Sequence, residues 1–266
     1  MKKFAALLLI ILPGLAIGQG VALFDQLIST SPVKPTLEQT AKLTRLLENH
    51  QLQEAKSEKK FLKSIFKATH QQFLKTYSPY GDLGEAFTTG RFDCLTGTAL
   101  LTLVLTENHF DYSIIETNYH IFILVNTSNG QVLLEATDRL SGFVDDPVEI
   151  NKRIASYRQN KLMSIGDDKT FYQYSFNLFR EVRPDQLAGL LYFNQAIKAF
   201  NRHDLLTCAS LLEQSRRIYE SPRVEELAIV LVKAVLESDL SASVKGKVIQ
   251  QYKSYVFSKN SPVASR

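Results

Sequence analysis

The spacing of apolar residues predicts helices at both ends of the chain and a small sheet between them. From residue 21 to 77 apolar positions recur every three or four residues, which is the repeat of an amphipathic helix. β-branched and aromatic runs in the middle predict three antiparallel strands, at 112–117, 119–126 and 131–137. After Pro184 the helical repeat returns, in runs at 186–200, 205–219, 224–238 and 243–257. The pattern predicts an α+β protein with an all-helical C-terminal domain.

The first residues have the composition of a secretory signal. Two lysines, Lys2 and Lys3, precede an apolar run over 4–12, and small residues occupy 16–18. The run is too short for a membrane-spanning helix, and no cysteine follows that could carry a lipid anchor. We therefore expect an exported protein, periplasmic or secreted, with no membrane anchor after removal of the signal. The expected organisation is a signal peptide at 1–18, a domain at 19–183 with a helical N-terminal extension, and a helical domain at 184–266.

Composition then narrows the class of protein. Without the two signal lysines, 29 basic residues stand against 27 acidic ones, so no basic field predicts nucleic-acid binding. Hydrophobic residues make up 45%, enough for a substantial core. Two cysteines do not make a disulfide framework. We do not expect Cys94 and Cys208 to pair, because Cys208 lies in a helical run near the other end of the chain.

Cys94 stands where a helix is predicted to begin. Thr88, Thr89 and Gly90 lead into Asp93, a plausible N-cap, and an apolar run follows as far as Leu105. The first turn of a helix offers unpaired N–H groups and the positive end of the dipole, and both favour a thiolate over a thiol. Cys94 is therefore a candidate nucleophile if a base can reach it.

The candidate base is His120, which opens a predicted strand, and the candidate acid lies on the strand that returns. If Asn129-Gly130 is the two-residue loop of this hairpin, Ser128 pairs with Gln131. Side chains alternate along a strand, so Glu135 would share the face of His120 and Asp138 would lie on the other. A three-residue loop would reverse this assignment, and both acids remain candidates.

Cysteine at a helix start, histidine at a strand start and an acid-x-Thr on the return strand resemble the transglutaminase-like superfamily. That family usually has Gly-Trp-x-x-x-Asp-Pro-Thr on the third strand, and the segment from Gly130 to Thr137 aligns with it without a gap. The family's acid then falls on Glu135. Glu replaces Asp, Gln131 replaces Trp, and the chain has no Trp. The resemblance covers roughly residues 58 to 145.

The resemblance implies a papain-like core with Cys94 as nucleophile, His120 as base and Glu135 as orienting acid. It implies acyl transfer or amide hydrolysis on a protein or peptide substrate, through a thioester and without a cofactor. The alternative is an inactive transglutaminase-like scaffold that acts as a protein-interaction module. The runs at 186–200 and 205–219 resemble a tetratricopeptide-like hairpin, which would give the C-terminal helices a protein partner.

Several other residues have an ordinary structural interpretation. We expect His70 to be a partly exposed packing residue, His109 to face solvent and Cys208 to be structural. Tyr80 is a candidate oxyanion donor together with the Cys94 N–H, although an ordinary connecting loop is favoured there. Two acids before a proline, Asp145 and Asp146, indicate a helix N-terminus more than a calcium site. The histidines have no metal-binding spacing, so no metal site is predicted.

Overall fold

The computed structural model describes residues 19–47, 57–159 and 177–258, so the signal-like segment at 1–18 lies outside it. No helix in these ranges is long and apolar enough to cross a membrane. The chain is a mixture of helices with an antiparallel sheet, as the α+β prediction requires.

Helices precede and follow the sheet. Those before it are α1 (Gln19–Ser29), α2 (Leu37–Leu47), α3 (Glu58–Gln72), α4 (Leu83–Thr88) and α5 (Cys94–Glu107). Those after it are α6 (Pro147–Arg158), α7 (Leu187–Asn201), α8 (Leu205–Ile218), α9 (Pro222–Glu237) and α10 (Ala242–Ser258). A 3₁₀ turn, Pro184–Gln186, leads into α7.

The sheet has the strand order β6-β5-β4-β3-β7, and every neighbouring pair is antiparallel. Its strands are β3 (Asp111–Thr117), β4 (Ile121–Thr127), β5 (Gly130–Leu134), β6 (Phe143–Val144) and β7 (Phe179–Val182). Before it, β1 (Thr76–Tyr77) and β2 (Arg91–Phe92) form a two-residue parallel pair. The sheet thus contains the three predicted strands and two short ones that pattern analysis did not predict.

Helix α5 is the centre of the fold because it is apolar on every side. All residues from Leu95 to Leu105 are buried, and a helix without a polar face must be enclosed. It contacts α1, α2, α3, α7 and β4. Enclosure on all sides fixes the position of the Cys94 end of α5 relative to the sheet.

Alternation along the strands places helices on both faces of the sheet. On β4, Ile121, Ile123 and Val125 belong to the core that contains α5. Phe122, between them, belongs to a second cluster with Ile150 of α6. Because successive side chains point to opposite faces, the sheet lies between α5 and α6.

The β4–β5 hairpin differs from the predicted one in its loop. Thr127 pairs with Gly130, so the two-residue loop is Ser128-Asn129 and not Asn129-Gly130. Glu58 of α3 explains the difference, because its carboxylate accepts from the Ser128 N–H at 2.6 Å and from its hydroxyl at 2.7 Å. These bonds hold Ser128 at the tip. The change shifts the pairing by two residues, so each side chain keeps its predicted face.

The C-terminal helices have a core of their own that is continuous with the first through α7. Leu187, Leu190 and Leu191 at the start of α7 pack in the cluster that contains α5. Phe193, Ala196 and other residues further along α7 pack with α8, α9 and α10 instead. Helix α7 therefore connects the C-terminal helices directly to the centre of the fold.

Candidate active site

Cys94 is the first residue of α5, and Asp93 is the N-cap, as predicted. The Asp93 carboxylate accepts from the Thr96 N–H at 2.8 Å, and the Thr96 hydroxyl accepts from the Asp93 N–H at 2.8 Å. This reciprocal capping box fixes the first turn. The Cys94 side chain is partly exposed, and α5 therefore presents a thiol to solvent at its positive end.

His120 lies between Cys94 and Glu135. Its Nε2 hydrogen-bonds with Oε2 of Glu135, and the Cys94 thiol lies close enough to the ring to help raise its pKa. Because Nε2 is occupied by Glu135, Nδ1 is the ring nitrogen available to Cys94. The His120 side chain is 20% exposed and that of Glu135 is 5% exposed, so the acid is shielded from water. The structure brings the three predicted residues together in the order thiol, imidazole and carboxylate.

Hydrogen bonds around both partners fix their orientation. Glu135 lies just beyond the end of β5, and its Oε1 accepts from the Thr137 N–H at 3.0 Å and from the Thr137 hydroxyl at 2.6 Å. His120 lies in the turn before β4, where its N–H donates to Thr117 Oγ1 at 3.1 Å. The Tyr157 hydroxyl of α6 donates to Glu135 Oε2 at 3.2 Å. These contacts hold the Glu135 carboxylate and the backbone of His120 in place.

The charges of His120 and Glu135 stabilise each other and oppose the effect of burial on both pKa values. Burial by itself would lower the pKa of His120, but the Glu135 carboxylate and the nearby Cys94 thiol raise it above its usual value. Burial would likewise raise the pKa of Glu135, but the His120 charge and the Thr137 hydrogen bonds lower it. The site therefore favours a charged His120 ring next to the Glu135 carboxylate. A charged imidazole is the partner that a cysteine thiolate requires.

Gly97 and His70 both contact the segment after β5 that carries Glu135 and Ala136. A Cβ on Gly97, one turn into α5, would lie 2.6 Å from the Cβ of Ala136, so only glycine permits this approach. His70 of α3 has its Nε2 2.9 Å from the Ala136 carbonyl oxygen and its Nδ1 2.9 Å from that of Phe66. His70 is buried, and the expectation that it would be partly exposed was wrong. In either tautomer the ring N–H donates to one of these carbonyl oxygens, which is why the side chain can be buried.

Two tyrosines, Tyr77 and Tyr80, lie in the segment before α4. Burial raises the pKa of both, and a negative charge on Cys94 adds to both shifts, so the two phenols lie within electrostatic range of the thiol. Tyr80 has a φ of 56°, an uncommon left-handed conformation for a residue other than glycine. His109 and His203 share this conformation, so the φ value alone does not distinguish Tyr80 from a residue of an ordinary connecting loop.

The remaining candidates have structural roles. Asp138 accepts from the Ser141 N–H at 2.8 Å in its own turn, and Glu135, rather than Asp138, contacts His120. Asp146 is the N-cap of α6 and accepts from the Glu149 N–H at 2.8 Å. His109 is exposed, and Cys208 is buried. Among the described residues, no group of three or more His, Cys, Asp or Glu side chains could hold a metal ion.

No family model, no curated protein and no solved structure matches the chain. The chemistry of the site has to follow from its own geometry. That geometry comprises a partly exposed thiol at a helix N-terminus, an imidazole directed at it, a shielded carboxylate behind the imidazole, and two phenols at the side. The sequence pattern identified the first three groups, while Tyr157 and His70 carried no signal in the pattern that distinguished them from core residues.

Proposed function

We propose that the chain is an exported, cysteine-dependent acyltransferase or amide hydrolase of the transglutaminase-like type, acting on a protein or peptide. One observation carries the proposal: the His120 ring, next to the Cys94 thiol, is hydrogen-bonded to a Glu135 carboxylate that is shielded from water. A structural histidine needs only hydrogen-bond partners, whereas this one lies between a carboxylate and a partly exposed thiol. Such an arrangement is the one that activates a cysteine nucleophile.

The proposed reaction has two halves. The Cys94 sulfur attacks the carbonyl carbon of a substrate amide, and the His120 imidazolium donates its proton to the departing nitrogen, which leaves a thioester and a free amine. Neutral His120 then takes a proton from water or from an amine as that nucleophile attacks the thioester. Hydrolysis or transfer is completed when Cys94 leaves as the thiolate. Glu135 holds the ring in place and stabilises its charged form through both halves.

The geometry also offers donors for the oxyanion that forms during attack. The Cys94 N–H lies in the first turn of α5, where helical amides have no acceptor within the helix. The phenols of Tyr77 and Tyr80 remain protonated at neutral pH because their pKa values are raised. A backbone N–H and a phenol O–H are the kinds of group that stabilise a tetrahedral oxyanion.

The first test is the rate of Cys94 alkylation by iodoacetamide from pH 5 to 9, followed by intact-mass spectrometry. A thiolate–imidazolium pair predicts fast labelling below pH 7 that is lost in His120→Asn. His109→Asn is the matched control, because His109 is exposed and its φ of 54° suits asparagine. The scaffold alternative predicts labelling that rises only near the pKa of an ordinary thiol, about 8.5, and that is unchanged in His120→Asn.

If the thiol is reactive, the two halves of the reaction can be separated. A glutamine-containing peptide supplied with a fluorescent primary amine would report transfer, and ammonia release without the amine would report hydrolysis. Both signals should disappear in Cys94→Ser.

A further inference from the structure

The C-terminal helices contact the candidate site at two points, one on the cysteine side and one on the histidine side. Asn194 of α7 donates its Nδ2–H to Asp93 Oδ2 at 2.7 Å. Arg223, in the first turn of α9, donates from its guanidinium to the Thr117 carbonyl oxygen. Each contact joins residues about a hundred positions apart, and each reaches a residue that fixes a member of the thiol–imidazole pair.

On the cysteine side, the Asp93 carboxylate connects three parts of the chain. It caps α5 through the Thr96 N–H, and its Oδ2 accepts from the Gly81 N–H at 3.1 Å as well as from Asn194. Gly81 packs closely, since a Cβ there would lie 3.0 Å from the Asp93 nitrogen. Asp93 is buried. One shielded carboxylate thus joins α7, the first turn of α5 and the segment that carries the two tyrosines.

On the histidine side, Arg223 reaches the turn that carries His120. Its Nε lies 3.1 Å from Oε1 of Glu116, a buried acid near the end of β3. Thr117, whose carbonyl oxygen accepts from Arg223, donates its own N–H to the His120 carbonyl oxygen at 2.8 Å. Arg180 and Tyr219 also contact Glu116, so the acid that binds Arg223 is itself held by two further side chains.

From these contacts we infer that the C-terminal helices position the Cys94–His120 pair, with Asn194 and Arg223 as positioning residues. This inference rests on the proposed function, because positioning has a meaning only if thiol and imidazole react as a pair. Helix α7 holds the first turn of α5, and α9 holds the His120 turn. A reacting pair is sensitive to its spacing, and a misplacement of about 1 Å can cost about a hundredfold in rate.

The test compares pH profiles of Cys94 alkylation in the full chain. Asn194→Ala removes the donor to Asp93. Arg223→Lys keeps the positive charge near Glu116 but has one nitrogen where the guanidinium contacts both Glu116 and Thr117. The matched controls are Asn201→Ala, exposed at the end of α7, and Arg217→Lys, exposed on α8.

We expect both positioning variants to lose about tenfold or more of the labelling rate below pH 7. Near pH 9, where an accessible thiol ionises without help, their rates should stay within about twofold of wild type. The controls should follow wild type throughout. A merely structural role would lower the melting temperature and leave the low-pH part of the profile unchanged.

Folded Asn194→Ala and Arg223→Lys proteins with wild-type profiles would overturn the inference. If circular dichroism shows that Asn194→Ala does not fold, Asn194→Asp, which keeps the volume of the side chain, decides in its place. A wild-type chain without low-pH labelling would instead refute the proposed function, and the two failures are thereby distinguished.

Discussion

Replacing Glu135 with glutamine removes the charge that faces His120 and nearly preserves the shape of the side chain. Two unit charges 4 Å apart interact by about 4 kcal/mol at an effective dielectric constant near 20, and the contact here is of hydrogen-bond length or shorter. Since one pKa unit corresponds to about 1.36 kcal/mol, we expect the pKa of His120 to fall by about 3 units. A fall of that size takes the pKa from about 10 to about 7, so the ring stays charged at pH 6 and is largely neutral at pH 8.

A neutral His120 cannot balance a thiolate, so the reactive fraction of Cys94 should fall with the charge. We expect Glu135→Gln to lower the alkylation rate at pH 8 by up to about tenfold, because one unit above the pKa only about a tenth of the rings stay charged. Near pH 9 the difference should shrink, because an ordinary thiol ionises there. The glutamine carbonyl can still accept from Thr137, so the local fold should remain intact.

The assay is the alkylation rate by intact mass, together with the pKa of His120 from its ring NMR signals. Cys208 is 0% exposed, and burial raises the pKa of its thiol to about 12, so a single label reports on Cys94. Glu181→Gln on β7 is the matched control, since Glu181 is an exposed acid of the same sheet. If Glu135→Gln labels at the wild-type rate at pH 8, or if the pKa of His120 does not move, the charge argument is refuted.

Two further predictions concern stability. Burial raises the pKa of Asp93 from 3.8 to about 6, so the stability from its bound proton is fully present below pH 3.8 and is lost as pH rises through about 6. Between pH 4 and 7 the free energy of unfolding of wild type should fall by about 2.4 kcal/mol relative to Asp93→Asn, as measured by denaturant titration. Gly97→Ala should destabilise by about 1 to 3 kcal/mol and slow Cys94 labelling, because the new methyl group meets Ala136. Gly246→Ala, in α10 with open space around it, should stabilise by about 0.5 to 1 kcal/mol.

Each of these predictions has a contradicting outcome. A difference between wild type and Asp93→Asn that stays constant with pH would mean that Asp93 keeps an ordinary pKa in the fold. Equal melting temperatures for Gly97→Ala and Gly246→Ala would mean that α5 can move away from Ala136 without loss of stability. The site would then be less rigid than its contacts indicate.

Local chemistry in the sequence was enough to predict the cysteine end of the site. Asp93 and Thr96 form a capping box within four residues, and such short-range bonds can be read from residue types alone. The choice between Glu135 and Asp138 depended on parity, which survived an error of two residues in the pairing of Ser128 and Gln131 because side chains repeat every two residues.

Contacts between distant segments could not be predicted in this way. No periodicity links Asn194 to Asp93, or Arg223 to Thr117, because each side chain also fits the exposed face of an amphipathic helix. His70 was misjudged for the same reason: the carbonyl oxygen of Ala136 that completes its hydrogen bonds comes from a segment 66 residues away. Whether the fold as a whole is transglutaminase-like, and whether residues 184–266 form a separate domain, stay predictions.

The long-range contact from Asn194 also bears on when a reactive thiol first exists. Chains are made from the amino end at about 5 to 20 residues per second, so Cys94, His120 and Glu135 are all synthesised seconds before Asn194 and Arg223. Because those two contacts close over 101 and 106 residues, they form only after Asn194 and Arg223 have been made. On the proposed function, the thiol gains its reactivity only then, and a nascent chain that ends before α7 should label slowly below pH 7.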